Sequence, residues 1–181
     1  MTTDTPLQWN HLFSSIGRHG LPIERQATED ERDRLRASLD IVSVEQFDTR
    51  YKISAQSGGS FVFAGDFRAK VRQACVVTLE PVAQDVLETF SVTFFPPGRS
   101  VEPSEKAGDK ERPVLDAPDT EVLYGDSIDA GRVLFELLGA ALDPYPRKAG
   151  AEFDWQDPKA GPDEAEMLHP FAALSKLKGG A

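Results

Sequence analysis

The stretch Ser60-Phe61-Val62-Phe63-Ala64-Gly65-Asp66-Phe67-Arg68-Ala69-Lys70-Val71-Arg72-Gln73-Ala74 decides the fold. Phe61, Phe63, Phe67, Ala69 and Val71 fall on odd positions, whereas Asp66, Arg68, Lys70 and Arg72 fall on even ones. Successive side chains of a strand point to opposite faces, so this period of two predicts a strand with one buried and one solvated face. The same period recurs at 47–55, where Phe47, Tyr51, Ile53 and Ala55 alternate with Asp48, Arg50, Lys52 and Ser54. It returns at 86–95 with Val86, Phe90, Val92 and Phe94, before Pro96-Pro97 ends the run. Ser57-Gly58-Gly59-Ser60 supplies a turn between the first two strands, because glycine tolerates positive φ. Connections this short imply antiparallel neighbours.

Two helices frame these strands. Thr28-Glu29-Asp30-Glu31 has the pattern of a capping box, in which the Thr28 hydroxyl and the Glu31 carboxylate each accept from the other's backbone N–H. Its acids suit the positive end of the helix dipole, and Leu35 and Leu39 give the helix, 29–39, a narrow apolar edge. Beyond Glu121-Val122-Leu123-Tyr124, read as one more strand, Asp126 or Ser127 can cap a second helix reaching about Leu142. Ile128, Leu134, Leu137, Leu138, Ala141 and Leu142 form its apolar stripe, and Pro144 stops it. The expected fold is α+β, an antiparallel sheet or small β-barrel of about four to six strands flanked by two or three helices. Residues 1–147 form the expected domain, with a mobile loop at about 97–120 that is rich in proline and charge. Residues 148–181 read as an acidic Pro/Gly-rich tail ending in a short helix.

Charge is unevenly spread. Residues 97–181 carry 17 acids against 10 bases, a net of −7 within a total of −10, while residues 51–96 carry 4 of each. Such a chain is a poor general binder of nucleic acid, which needs a basic surface, and is better suited to a basic partner. No apolar run approaches the roughly 20 residues that span a bilayer, and Met1–Asn10 shows no secretory pattern, so a cytoplasmic location is expected. His11, His19 and His169 match no metal-ligand spacing, and the single cysteine, Cys75, can form no internal disulfide or metal-binding pair. Neither a metal nor a cofactor is expected.

No catalytic constellation stands out either: there is no nucleophile elbow, phosphate loop or dinucleotide fingerprint. Cys75 lacks a histidine anywhere between residues 20 and 168, and its simplest reading is a half-buried strand cysteine. Arg68, Lys70 and Arg72 have a shape of their own. They project from one strand face at intervals of roughly 6.5–7 Å, close to the spacing of phosphates along a nucleic-acid strand. The plainer reading is a solvated face paired to acids on the adjoining strand.

Three blocks carry a family resemblance. Arg72-Gln73-Ala74-Cys75-Val76-Val77-Thr78-Leu79-Glu80-Pro81-Val82 resembles the central signature of the YceD family, the large ribosomal RNA subunit accumulation proteins. Gly125-Asp126-Ser127-Ile128-Asp129-Ala130-Gly131, leading into a helix with Glu136, is similar to a second family block, and Leu142-Asp143-Pro144-Tyr145-Pro146-Arg147 to a third. Pro170-Phe171-Ala172-Ala173-Leu174 also looks like the family's C-terminal end. The resemblance implies a role in 23S rRNA accumulation and large-subunit assembly, without catalysis. Many relatives have a second cysteine three residues after the first, where this chain has Thr78, which speaks against a zinc or redox role here.

The expected function is therefore a non-enzymatic assembly factor that binds a basic large-subunit ribosomal protein, 23S rRNA or both, and neither membrane nor DNA. Arg68, Lys70 and Arg72 are the RNA-binding candidates; Cys75, Glu80, Pro81, Asp143, Pro144, Tyr145, Pro146 and Arg147 are the signature and partner-binding candidates. Pro81 marks where strand pairing breaks and the chain turns, and Tyr145 between its two prolines is expected to pack back on the sheet rather than stand exposed. The alternatives are an enzyme, a hydrolase or transferase using Cys75 or a carboxylate, and a general acidic protein-interaction module.

Overall fold

The computed structural model describes residues 5–97 and 119–152. The chain divides into two compact units, Met1–Ala149 and Gly150–Ala181, and every helix and strand among the described residues belongs to the first. The expected loop lies almost wholly outside the described residues, as do the C-terminal helix and the Pro170–Leu174 block.

Among the described residues the strands and helices, in chain order, are β1 (Asn10–Leu12), β2 (Leu21–Gln26), α1 (Glu29–Leu39), β3 (Ser43–Ala55), β4 (Phe61–Ala74), β5 (Pro81–Phe95), β6 (Asp119–Val122), β7 (Ser127–Asp129) and α2 (Ala130–Ala141), with 3-10 turns at Phe13–Ser15 and Ser57–Gly59. The main sheet has the order β2-β3-β4-β5-β6, and β1 pairs with β7 in a small second sheet. Both sheets are open, which settles the choice between sheet and barrel, and the architecture is α+β.

The strands β2 to β5 pair antiparallel, through turns that their sequence supplies. Between β3 and β4 the chain reverses over Gly58 and Gly59, both at φ 77°, and the Gln56 N–H donates to the Ser60 carbonyl at 2.8 Å. The edge strand β6 runs parallel to β5, because the connection from Phe95 to Asp119 is long enough to carry the chain back to the far end of the sheet. The Leu123 N–H extends that ladder by a bond to the Phe95 carbonyl at 2.7 Å.

The odd residues of β4 point inward, as the alternation predicts. Phe63, Phe67, Ala69 and Val71 are buried with Phe47, Tyr51 and Ile53 of β3 and Val86, Phe90, Val92 and Phe94 of β5. Leu35 of α1 and Val133, Leu134 and Leu138 of α2 join the same core, so the helices cover one sheet face and leave the other to solvent. Phe63 stands at the centre, its ring 5.0 Å from Tyr51 and 4.8 Å from Phe90. Each such side chain contributes about 1.5–3 kcal/mol on burial.

The structure moves the cap of α2. Asp129 holds that place, accepting from the Arg132 N–H at 3.0 Å, rather than Asp126 or Ser127. Residues 127–129 are occupied by pairing with β1, so the helix starts later. Gly131 is forced by packing, since a Cβ there would lie 2.0 Å from the Leu7 carbonyl oxygen.

The capping box of α1 is present and does more than cap. Glu31 is buried, and its Oε2 accepts from the Thr28 N–H at 2.9 Å while Oε1 accepts from the Trp9 indole at 2.7 Å and Arg25 at 3.2 Å. The Arg25 guanidinium also lies over the Trp9 ring, 4.5 Å from its centroid. Burial would raise the Glu31 carboxyl, but the Thr28 backbone, the Trp9 indole and Arg25 together hold it below its ordinary value. One carboxylate thus ties the N-terminal segment, β2 and α1 together. Glu31→Gln should destabilise the chain by about 3 kcal/mol in urea unfolding at neutral pH. The gap should shrink as the pH drops below about 4, since a carboxyl with a lowered folded pKa stabilises only while it is ionised.

Candidate functional site

Strand β4 places Gln73 inward, and Cys75 follows it just beyond the strand end. There the chain turns. The Cys75 N–H donates to the Glu80 carbonyl at 2.8 Å, and the Leu79 N–H returns to the Cys75 carbonyl at 2.9 Å, so residues 76–79 form a tight loop into β5. Leu79 closes it at φ 61°, a left-handed conformation that costs a branched side chain roughly 1–2 kcal/mol, and yet its side chain is 77% exposed. Pro81 opens β5 opposite Ala74, a first-strand position where its missing N–H is tolerated.

The segment after α2 closes over this turn. The Val76 N–H donates to the Pro146 carbonyl at 2.9 Å, and Gln73 Nε2 donates to the Asp143 carbonyl at 2.9 Å. Gln84 of β5 bonds twice, from its Nε2 to the Ala141 carbonyl at 3.1 Å and from the Asp143 N–H to its Oε1 at 3.2 Å. Lys148 Nζ pairs with Glu80 at 2.8 Å, and Thr78 Oγ1 donates to the same carboxylate oxygen at 3.3 Å. The Tyr145 N–H turns back on Asp143 Oδ1 at 2.9 Å. Pro146 is buried, while Pro144 and Arg147 are exposed.

Two expectations are corrected here. Cys75 is fully buried in the turn rather than half-buried in a strand, because the chain folds back over it. Tyr145 is 73% exposed rather than packed on the sheet, since Pro146 takes the inward place beside it. With Val76 and Leu79, Tyr145 adds to the exposed apolar side chains of the two joined segments.

Three backbone N–H groups converge on the Cys75 sulfur. It accepts from the N–H groups of Val77, Thr78 and Lys148, each at 3.4 Å. The Lys148 N–H, followed by the Thr78 side chain and backbone, lowers the thiol to about 6 against the opposing effect of burial. Its partners all donate, and none is a base that could take up a proton. Among the described residues no three His, Cys, Asp or Glu side chains are grouped so as to hold a metal ion.

Comparison with known proteins gives one match. The family profile described as Large ribosomal RNA subunit accumulation protein YceD matches residues 63–178. The chain belongs to the YceD family. No curated protein and no solved structure matches it. The YceD match takes in all three signature blocks, and two of them, 72–82 and 142–147, meet in the turn around Cys75. The third, 125–131, builds the β7 strand and the start of α2.

The structure brings the signature residues together and sets the basic row apart. Arg68, Lys70 and Arg72 stand exposed on the outer sheet face, away from the Cys75 turn's inward side. Arg68 lies opposite Asp48 of β3, Lys70 opposite Asp85 of β5, and Arg72 pairs with Glu45 where β3 shifts register. Arg68 also shares a surface hollow with Arg25 and Arg50 and with Glu24, Asp48 and Asp66. Gln73, Gln84 and Lys148 are the functional-site residues that sequence reasoning missed. The odd position of Gln73 on an otherwise apolar face was the available signal.

Thiolate absorbance of the native YceD-family chain should titrate with a midpoint near pH 6. A depressed thiol pKa stabilises the fold increasingly as pH rises from the folded value toward the unfolded one, near 8.5. The stability deficit of Cys75→Ser should therefore widen between about pH 6 and 8 in denaturant titrations. A thiol midpoint near 8.5 and a deficit independent of pH would contradict this.

Proposed function

We propose that this chain is a non-enzymatic assembly factor of the large ribosomal subunit, working in the cytoplasm. It supports 23S rRNA accumulation by holding a basic large-subunit ribosomal protein in a folded, soluble state until delivery. The YceD family is described by large ribosomal RNA subunit accumulation, which supplies the process. The protein partner rests on one observation, the charge pattern of the outer sheet face. Asp48, Asp85 and Glu45 answer Arg68, Lys70 and Arg72 from the neighbouring strands, so the row offers phosphates little net attraction. Against this near-neutral face, the chain's total charge of −10 favours cationic partners.

Catalysis through Cys75 has the geometry against it. The sulfur is buried, and its hydrogen-bond partners are N–H donors rather than a general base. Val76, Leu79 and Tyr145 suit contact with a partner instead, as exposed apolar side chains on a surface fixed by the Cys75 turn.

A second reading keeps RNA as a direct ligand. It is favoured by Arg68 and Lys70, which are exposed and form no ion pair among the described residues. Charge reversal of all three, Arg68→Glu, Lys70→Glu and Arg72→Glu, separates the two. If a basic protein is the ligand, the folded triple variant keeps its salt-sensitive binding to purified large-subunit proteins. A loss of 23S rRNA binding with no protein binding in the parent chain would overturn the proposal.

A further inference from the structure

The main sheet is open along much of one edge. Strand β5 runs from Pro81 to Phe95 and is paired along its length with β4, but β6 meets it only at Val92–Phe95. Among the described residues, nothing else pairs with its outer edge. The Gln84 side chain crosses from this edge to Ala141 and Asp143 at the end of α2 and closes one end of the gap. Asp119, where β6 begins beside Val92, closes the other. Between these stops lie residues 85–91, a slot about 20 Å long at the rise of an extended chain.

The slot has a second wall. Leu137, Ala140 and Ala141 of α2 face Glu88, Thr89 and Phe90 of β5 across a cleft of about 180 Å³. An edge strand beside a helix, with an apolar cleft between them, is the arrangement that accepts an extended peptide as an added strand. Main-chain bonds to β5 would supply affinity, and alternate side chains of the peptide would enter the cleft.

Charge selects the occupant. Asp85 and Glu88 are the only charged residues of 85–91, and both are exposed. The cleft is lined by one carboxylate and no cation. Lys70 is the cross-strand neighbour of Asp85 and offsets it, so Glu88 is the carboxylate left to attract a cation at the cleft. A second copy of β5 would bring like charges together, a common device against edge-to-edge pairing. The chain's own extension backwards from β6 meets Pro118, which has no N–H to give to a ladder.

We infer that the β5 edge between Gln84 and β6 is a β-augmentation site for an extended, lysine- or arginine-bearing protein segment, docked against α2. This rests on the reading of the chain as a carrier of a basic protein and names the surface that would hold it.

The probe is a short capped peptide of alternating lysine and valine, with a glutamate-valine twin as control, added to the full chain. Backbone amides of residues 85–91 should gain hydrogen-exchange protection with the lysine peptide and not with its twin. Glu88→Lys and, separately, Ala140→Lys should each weaken binding by about tenfold or more while leaving unfolding midpoints close to the parent. Both side chains are exposed, so the fold does not depend on them. Equal binding of both peptides, protection confined to other strands, or slow exchange in the free chain of those amides of 85–91 that point away from β4 would overturn the inference, as would a concentration-dependent dimer that protects the same amides. If the variants lose the peptide but still bind the same basic large-subunit protein, the edge is wrong and the carrier reading stands. If the parent chain binds no such protein, the carrier reading itself fails.

Discussion

Strand β4 is hydrogen-bonded on both sides along nearly all of its length, and its pleat assigns each of its side chains to one of two faces. Slipping it by one residue would bury Arg68, Lys70 and Arg72 and expose Phe63 and Phe67. The aromatic core from Phe47 through Phe67 and Phe63 to Phe90 hangs on that register, as do the two helices laid over it. The same parity turns Gln73 inward, and Cys75 lies buried just beyond it in the turn that the exit segment covers.

The join around Cys75 links parts of the chain 73 positions apart through bonds to one sulfur. Backbone N–H groups from both the β4–β5 turn and the 148 region converge on it, so one sulfur joins two loops at once. Gln73 and Gln84 add side-chain bonds to the same exit segment. Among the described residues Gln73 Oε1 is buried with no hydrogen-bond partner. In this fold the signature residues fasten the exit segment to the β4–β5 turn, with Leu79 and Tyr145 exposed beside the join.

Much of this was legible in the sequence where one period or one local pattern decides the outcome. The alternation at Phe61–Ala74 gave the faces of β4, and Thr28 with Glu31 gave the start of α1. What escaped depends on distant partners. The strand β2 contains Pro22 and a charged second half, so its pairing with β3 leaves no clean alternation. Asp129 caps α2 only because β1 claims residues 127–129, and the parallel direction of β6 follows from a long connection whose path no local residue dictates. The proximity of the 72–82 and 142–147 blocks was likewise invisible along the chain, although both were recognisable as signatures.

The sheet face that first suggested nucleic acid carries its own carboxylates, and the acidic balance of the whole chain suits the basic protein partner proposed for it. The open β5 edge gives that attraction a shape, since an extended basic segment would complete both a ladder and a charge pattern. Affinity capture of the chain from growing cells, with and without nuclease, tests the claim most directly. Recovery of one basic large-subunit protein that survives nuclease treatment is the expected result. Recovery of ribosomal material that disappears entirely with nuclease would contradict it.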